Sequence, residues 1–90
     1  MLVVRRVVGK SMLPTLKPGQ TVYAWNSRNF KVGQVVVAFI NGIEIVKRIS
    51  RIENGQVYLE GDNKDPKDGG KSYGPLPDTR IEAVVFWPRL

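Results

Sequence analysis

The chain has 90 residues, which is one domain's length, and it contains neither histidine nor cysteine. These absences exclude sites built on a histidine base or a cysteine nucleophile, and they also exclude disulfides and thiolate metal sites. The carboxylates lack metal-ligand spacing, so neither a metal nor a cofactor is expected. The net charge of +6 suits nucleic acid or an anionic membrane, but without a five-residue basic block we interpret it as a general bias towards solubility.

Short runs rich in β-branched and aromatic residues predict strands along most of the chain. In chain order they cover residues 2–8, 21–25, 34–40, 43–52, 57–60 and 81–87. Asn41-Gly42 predicts a type I′ hairpin turn, and at most a single helical turn begins near Ser11. We therefore expect one all-β domain over residues 1–90. Its antiparallel hairpins would fold into a small curled barrel or sandwich, with an irregular loop near residues 63–72.

Ser11 directly follows the first predicted strand and is flanked by Gly9 and Pro14. A serine nucleophile needs a rigid turn and backbone N–H groups that hold an oxyanion, and Gly9 gives the backbone the freedom for such a turn. The alternative is that Ser11 caps a short helical turn. Without histidine or cysteine, a lysine base is one of the few remaining ways to activate this serine.

Lys47 lies within the fourth predicted strand, where alternate residues share a face. Ile43, Ile45 and Ile49 therefore point the same way as Lys47, whereas Arg48 points to the opposite side and is predicted to be solvated. Burial disfavours the ammonium form and lowers its pKa, which makes a lysine a usable base. The alternative is a lysine that extends its amine past an edge to water.

Three short motifs, in this order along the chain, resemble those of type I signal peptidases. The nucleophile motif of that family resembles residues 9–16 of this chain, Gly9-Lys10-Ser11-Met12-Leu13-Pro14-Thr15-Leu16. Its general-base motif resembles Lys47-Arg48-Ile49. The third motif opens at Gly61-Asp62-Asn63 and closes at Gly74-Pro75. Self-cleaving repressors of the SOS type share the Ser-Lys core. The Pro-Thr-Leu and Gly-Asp-Asn runs, however, are closer to the signal peptidase branch.

The resemblance implies a serine endopeptidase that cleaves extended signal or propeptide segments, with Ser11 as nucleophile and Lys47 as general base. It places the oxyanion and the bound peptide near Gly9, Ser11 and Met12. It also gives a structural role in shaping the cleft to the turn Gly61, Asp62 and Asn63. We expect the Ser11 hydroxyl within hydrogen-bonding reach of the Lys47 amine.

The chain departs from the family in the third motif. Where the family has Asp-Ser-Arg, this chain has Gly69-Gly70-Lys71, so the serine that orients the lysine in the family falls on Gly70. Ser72 is the candidate substitute. This departure raises the alternative of a catalytically degenerate relative.

Another alternative is a non-enzymatic basic β-barrel that binds peptide or single-stranded nucleic acid. The aromatic residues lack a regular stacking pattern and the basic residues lack a stripe, so nucleic acid is disfavoured as a partner. Core packing is the default prediction for four aromatic residues, and a substrate groove or a lipid-facing rim is the alternative. They are Trp25, Phe39, Tyr73 and Trp87.

The longest apolar run, residues 35–40, is far shorter than the roughly 20 residues that span a bilayer. We therefore expect no transmembrane segment in this chain. The predicted location is soluble, either cytoplasmic or peripheral at a membrane. Type I signal peptidases typically carry an N-terminal membrane anchor, so this expectation is a further departure from the family. The alternatives are a naturally soluble relative and a chain whose anchor lies outside this sequence or on a partner.

Overall fold

The computed structural model describes residues 1–69 and 71–90 and shows an all-β protein, in which seven antiparallel strands form a curled half-barrel. The strands are β1 (Leu2–Arg6), β2 (Thr21–Trp25), β3 (Val35–Ile40), β4 (Ile43–Glu53), β5 (Gln56–Glu60), β6 (Tyr73–Pro77) and β7 (Ile81–Trp87). A short 3₁₀ turn, Asp78–Arg80, joins the last two strands. The predicted fold class is confirmed.

The sheet order is β1-β2-β7-β3-β4-β5-β6, so the last strand of the chain, β7, lies between β2 and β3. Asn41 and Gly42 form the two-residue loop between β3 and β4, and both have positive φ angles, 52° and 79°. These angles are those of a type I′ turn, whose twist matches that of the flanking strands. This hairpin fixes the register that sets Lys47 opposite Val36.

Strand β6 is absent from the prediction because its sequence, Tyr-Gly-Pro-Leu-Pro, argues against a strand. It lies at the end of the sheet and pairs only with β5. Proline lacks an N–H, which an edge strand tolerates because one of its sides needs no hydrogen-bond donors. The irregular loop that precedes β6 was predicted correctly over the described residues.

The core lies on both faces of the sheet, and β3 is buried on both of its faces. Val36 and Ala38 belong to a cluster with Ile49 and Leu59, whereas Val37 packs with residues of the opposite face. A third cluster anchors the turn after β1. Its members are Val7, Met12, Leu16, Val22 and Val35.

Core packing is the wrong prediction for Trp25 and Trp87, which are 53% and 58% exposed. Tyr23 pairs with Trp87 across β2 and β7, and their rings meet edge to face with centroids 6.2 Å apart. Phe39 is also exposed, and Tyr73 is half-buried. The sheet thus presents an aromatic surface to solvent.

Within residues 1–69 and 71–90, no helix has both the length and the apolar composition that crossing a membrane would require.

Candidate active site

Ser11 begins a tight turn that leaves β1 and returns the chain towards β2. Gly9 has a φ of 82°, a conformation that L side chains rarely adopt. A single helical turn follows, closed by a hydrogen bond from the Leu16 amide to the Met12 carbonyl. The buried side chains of Met12 and Leu16 hold this turn against the core, while Ser11 stays half-buried at its start.

The loop after β5 packs directly on the backbone of this turn. The Asn63 amide donates to the Ser11 carbonyl at 2.8 Å, and the Asn63 side chain donates to the Lys10 carbonyl, also at 2.8 Å. A Cβ placed on Gly61 would lie 2.4 Å from the Ser11 carbonyl oxygen. Only glycine fits there without moving the turn, so residues 61–63 fix the position of Ser11.

Lys47 is 5% exposed, and among the described residues it is the only charged side chain in the core. Its neighbours on the same face of the sheet include Val36 and Ile49, which are both fully buried. This burial lowers the pKa of Lys47, because the ammonium form loses hydration. Lys47 forms no ion pair with any described residue that would offset the loss.

Arg48 is not solvated as predicted, since it pairs with Asp62. Its Nε and Nη2 atoms both donate to the Asp62 carboxylate at 2.8 Å, and its Nη1 donates to the Gly33 carbonyl. Thr15 donates a further hydrogen bond to Asp62. Donation from Arg48, and to a lesser extent from Thr15, lowers the pKa of Asp62. Asp62 thus connects the turn that carries Ser11 to the strand that carries Lys47.

Ser11 and Lys47 line one cleft, with a volume of about 510 Å³. Strand β1 and the residues after it bound the cleft on one side, and residues 43–47 of β4 bound it on the other. No hydrogen bond joins the Ser11 hydroxyl to the Lys47 amine among the described contacts. Such contacts often tighten only when substrate binds, and direct proton transfer between the two groups stays a prediction.

The other predicted site residues that the structure describes do not line this cleft. The Met12 side chain is buried in the core, so only its backbone can face a substrate. Neither the Ser11 amide nor the Met12 amide donates a backbone hydrogen bond to a described residue. Ser72 lines a separate hollow beside the loop 60–69. Its predicted role in orienting Lys47 therefore gains no support from the geometry, and Gly70 lies outside the described residues.

Sequence reasoning missed several residues that line the cleft. They are Arg5, Arg6, Val8, Glu44 and Lys71. No local pattern marks them, because they become neighbours only when β1, β4 and the segment before β6 approach one another. The sequence did contain a signal for the Arg48–Asp62 ion pair, because Arg48 lies in the general-base motif and Asp62, of opposite charge, lies in the third motif.

The structure thus combines a half-barrel of antiparallel strands with a serine and a buried lysine that line one cleft. A sequence profile of the family described as "Peptidase S24-like" matches residues 1–84. The chain belongs to this family, and its predicted membership of a peptidase family is confirmed.

Two curated relatives, both described as "Mitochondrial inner membrane protease subunit 1", are similar to the chain. The Mus musculus protein is 30% identical over 110 aligned positions, which cover 89% of this chain and 66% of that protein. The Xenopus tropicalis protein is 38% identical over 47 positions, which cover 49% of this chain and 28% of that protein. The chain therefore spans only part of each relative. No solved structure matches it.

Proposed function

We propose that this protein is a serine endopeptidase in which Ser11 is the nucleophile and Lys47 the general base. The observation that carries the proposal is the shared cleft, in which burial lowers the pKa of Lys47. Only the neutral amine can accept a proton. A lowered pKa raises the neutral fraction near physiological pH, so burial prepares Lys47 for this role.

In the proposed reaction, neutral Lys47 accepts the Ser11 hydroxyl proton as the serine oxygen attacks a peptide carbonyl. The Ser11 and Met12 amides are the available donors to the oxyanion. Lys47 then gives the proton to the leaving amine, and an acyl-enzyme remains. In the second half, Lys47 takes a proton from water as the water attacks the ester, and it returns that proton to Ser11.

The shape of the cleft favours an extended peptide. β1 is the terminal strand of the sheet, and β5 pairs with β4 only from Arg48 onwards. Residues 43–47 of β4 pair with β3 on one side, but their other edge has no partner among the described strands, and neither has the outer edge of β1. Such edges recognise a peptide by main-chain hydrogen bonds. This supports an extended signal or propeptide segment as substrate.

Acylation of Ser11 tests the proposal with a reactive substrate, the p-nitrophenyl ester of N-acetyl-Ala-Gln-Ala. We expect a burst of p-nitrophenol and a matching mass increase on the peptide that contains Ser11. Ser11→Ala and Lys47→Met should both abolish the burst, whereas Ser50→Ala, which changes an exposed serine, should retain it. A folded protein that is never acylated would instead be a catalytically degenerate relative.

The exposed aromatic surface favours peripheral membrane association as an additional property. Leu2, Val4, Tyr23 and Trp25 are paired across β1 and β2 on one face, and all four are exposed. Tyr and Trp partition into the interface of a bilayer, and the net charge of +6 attracts anionic lipid.

Vesicles of phosphatidylglycerol and phosphatidylcholine test this association. We expect co-sedimentation with the anionic mixture and a blue shift of tryptophan fluorescence. Trp25→Ser should weaken both signals. If the wild-type protein neither co-sediments with the vesicles nor changes its tryptophan fluorescence in their presence, the association is contradicted.

A further inference from the structure

The side chains around the cleft carry an excess of positive charge. Four of the lining residues are cationic, Arg5, Arg6, Lys47 and Lys71, and one is anionic, Glu44. A cleft lined by one sign of charge concentrates ligands of the opposite sign, because its low-dielectric walls focus the field.

Two of these four cations do not contribute to the excess. Arg5 donates two hydrogen bonds to the Glu44 carboxylate, at 2.5 and 3.0 Å, and this ion pair cancels both charges. Lys47 is buried and must be neutral to act as a base. The pair between Arg5 and Glu44 also connects β1 to β4 across the cleft.

Arg6 and Lys71 account for the excess. Both are exposed, and neither forms an ion pair with a described residue. Arg6 is the last residue of β1, and Lys71 lies just before β6, so the two approach the cleft from different segments. A peptide bound there would bring its side chains near two cations that have no ion-pair partner among residues 1–69 and 71–90.

We propose that the cleft selects peptides that carry an acidic side chain close to the scissile bond, and that Arg6 and Lys71 bind this side chain. The inference rests on the proposed peptidase function and specifies its substrate class. Each ion pair at a partly exposed site contributes modestly, so the expected selectivity is about three- to tenfold. It should decrease with salt, because screening shortens the range of the attraction.

A set of capped ten-residue peptides with a central Ala-Gln-Ala tests the selectivity. Glutamate is placed at each flanking position in turn, and the matched peptide has glutamine there. Binding to the Ser11→Ala protein is measured by calorimetry, and cleavage by the wild-type protein is measured by mass spectrometry. We expect the best glutamate peptide to exceed its glutamine match about three- to tenfold in affinity and in kcat/KM.

The double variant Arg6→Gln, Lys71→Gln should bring this ratio close to one. The control variant Lys17→Gln, Lys31→Gln removes the same charge from exposed residues outside the cleft and should preserve the ratio. A preference that survives in the first variant, or is lost equally in the second, would overturn the assignment to Arg6 and Lys71.

The binding measurement and the cleavage measurement separate this inference from the proposed function. Equal binding of the glutamate and glutamine peptides, or no binding of any peptide, overturns the inference. Selective binding without cleavage of any peptide supports the acidic specificity but contradicts the endopeptidase proposal.

Discussion

At the scale of single residues, burial of Lys47 makes folding depend on pH. Its pKa is lowered in the folded protein, so the unfolded state binds more protons between the folded value and the ordinary value of 10.5. Stability should therefore rise with pH across that window. At pH values below both the folded and the unfolded pKa, each unit by which the pKa is lowered reduces the free energy of unfolding by about 1.4 kcal/mol.

Lys47→Met removes this charge while it keeps much of the apolar stem. We expect the variant to be as stable as wild type or more stable at pH 7, and to lose the rise of stability with pH. Denaturant unfolding at several pH values between 6 and 10 measures both effects. Lys31→Met, at an exposed site, is the control and should keep the wild-type pH dependence. A Lys47→Met variant that is less stable and keeps the rise would contradict the burial argument.

Local periodicity predicted the side on which a residue lies but not its partner. Alternation along β4 correctly set Lys47 on the buried face, since a period of two needs no long-range information. The same alternation predicted that Arg48 is solvated, which was wrong because Asp62 approaches it from a loop beyond β5. The contact between them depends on how distant segments fold together.

At the scale of elements, the loop 61–63 and the turn of Ser11 act as one unit. Ala at position 61 would place its Cβ 2.4 Å from the Ser11 carbonyl oxygen and 3.1 Å from the Ser11 Cβ. The turn must then shift. We expect Gly61→Ala to cost about 1–3 kcal/mol of stability and to slow acylation of Ser11 more than the stability loss explains.

The acylation burst and denaturant unfolding are measured on the same preparation. Gly55→Ala is the control, because Gly55 has a positive φ but no atom within 4 Å of the added Cβ. It should lose stability through backbone strain and leave the acylation rate unchanged. An unchanged rate in folded Gly61→Ala would show that the loop does not position Ser11.

The elements themselves were largely predictable from the sequence. Strands with alternating or continuous β-branched residues, such as β2 and β7, were predicted with the bounds that the structure shows. The hairpin at Asn41-Gly42 was predicted because its turn chemistry is local. Strand β6 was missed because its two prolines are tolerated only at an edge, and edge position is a property of the whole sheet.

At the scale of the whole molecule, the cleft exists because the sheet curls without closing. Its two borders, β1 and β4, are separated in the sheet by three other strands. The curl brings these borders together, and no local sequence pattern encodes it. Trp25 of β2 and Trp87 of β7 face solvent on this curved sheet, where sequence reasoning predicted core packing.

Asp62 connects three segments of this open structure, so its ionisation should affect the stability of the whole molecule. Its pKa is lowered from 3.8 by the hydrogen bonds from Arg48 and Thr15. A lowered carboxylate pKa stabilises the folded state above the ordinary value, and this contribution is lost as the pH falls through the folded value. We expect Asp62→Asn to cost about 1–3 kcal/mol at pH 7, because Arg48 loses its charged partner.

The stability difference between wild type and Asp62→Asn should shrink as the pH falls below 3.8, because the wild-type carboxylate is then progressively protonated. Denaturant unfolding of both proteins at pH 7 and in steps below pH 4 measures this difference directly, and effects of other groups cancel in the comparison. Glu53→Gln disrupts the exposed pair with Arg51 and should change stability by less than about 0.5 kcal/mol at either pH. A pH-independent cost of Asp62→Asn would show that the carboxylate acts through its shape and neutral hydrogen bonds, and that its charge does not join the turn of Ser11 to the strand of Lys47.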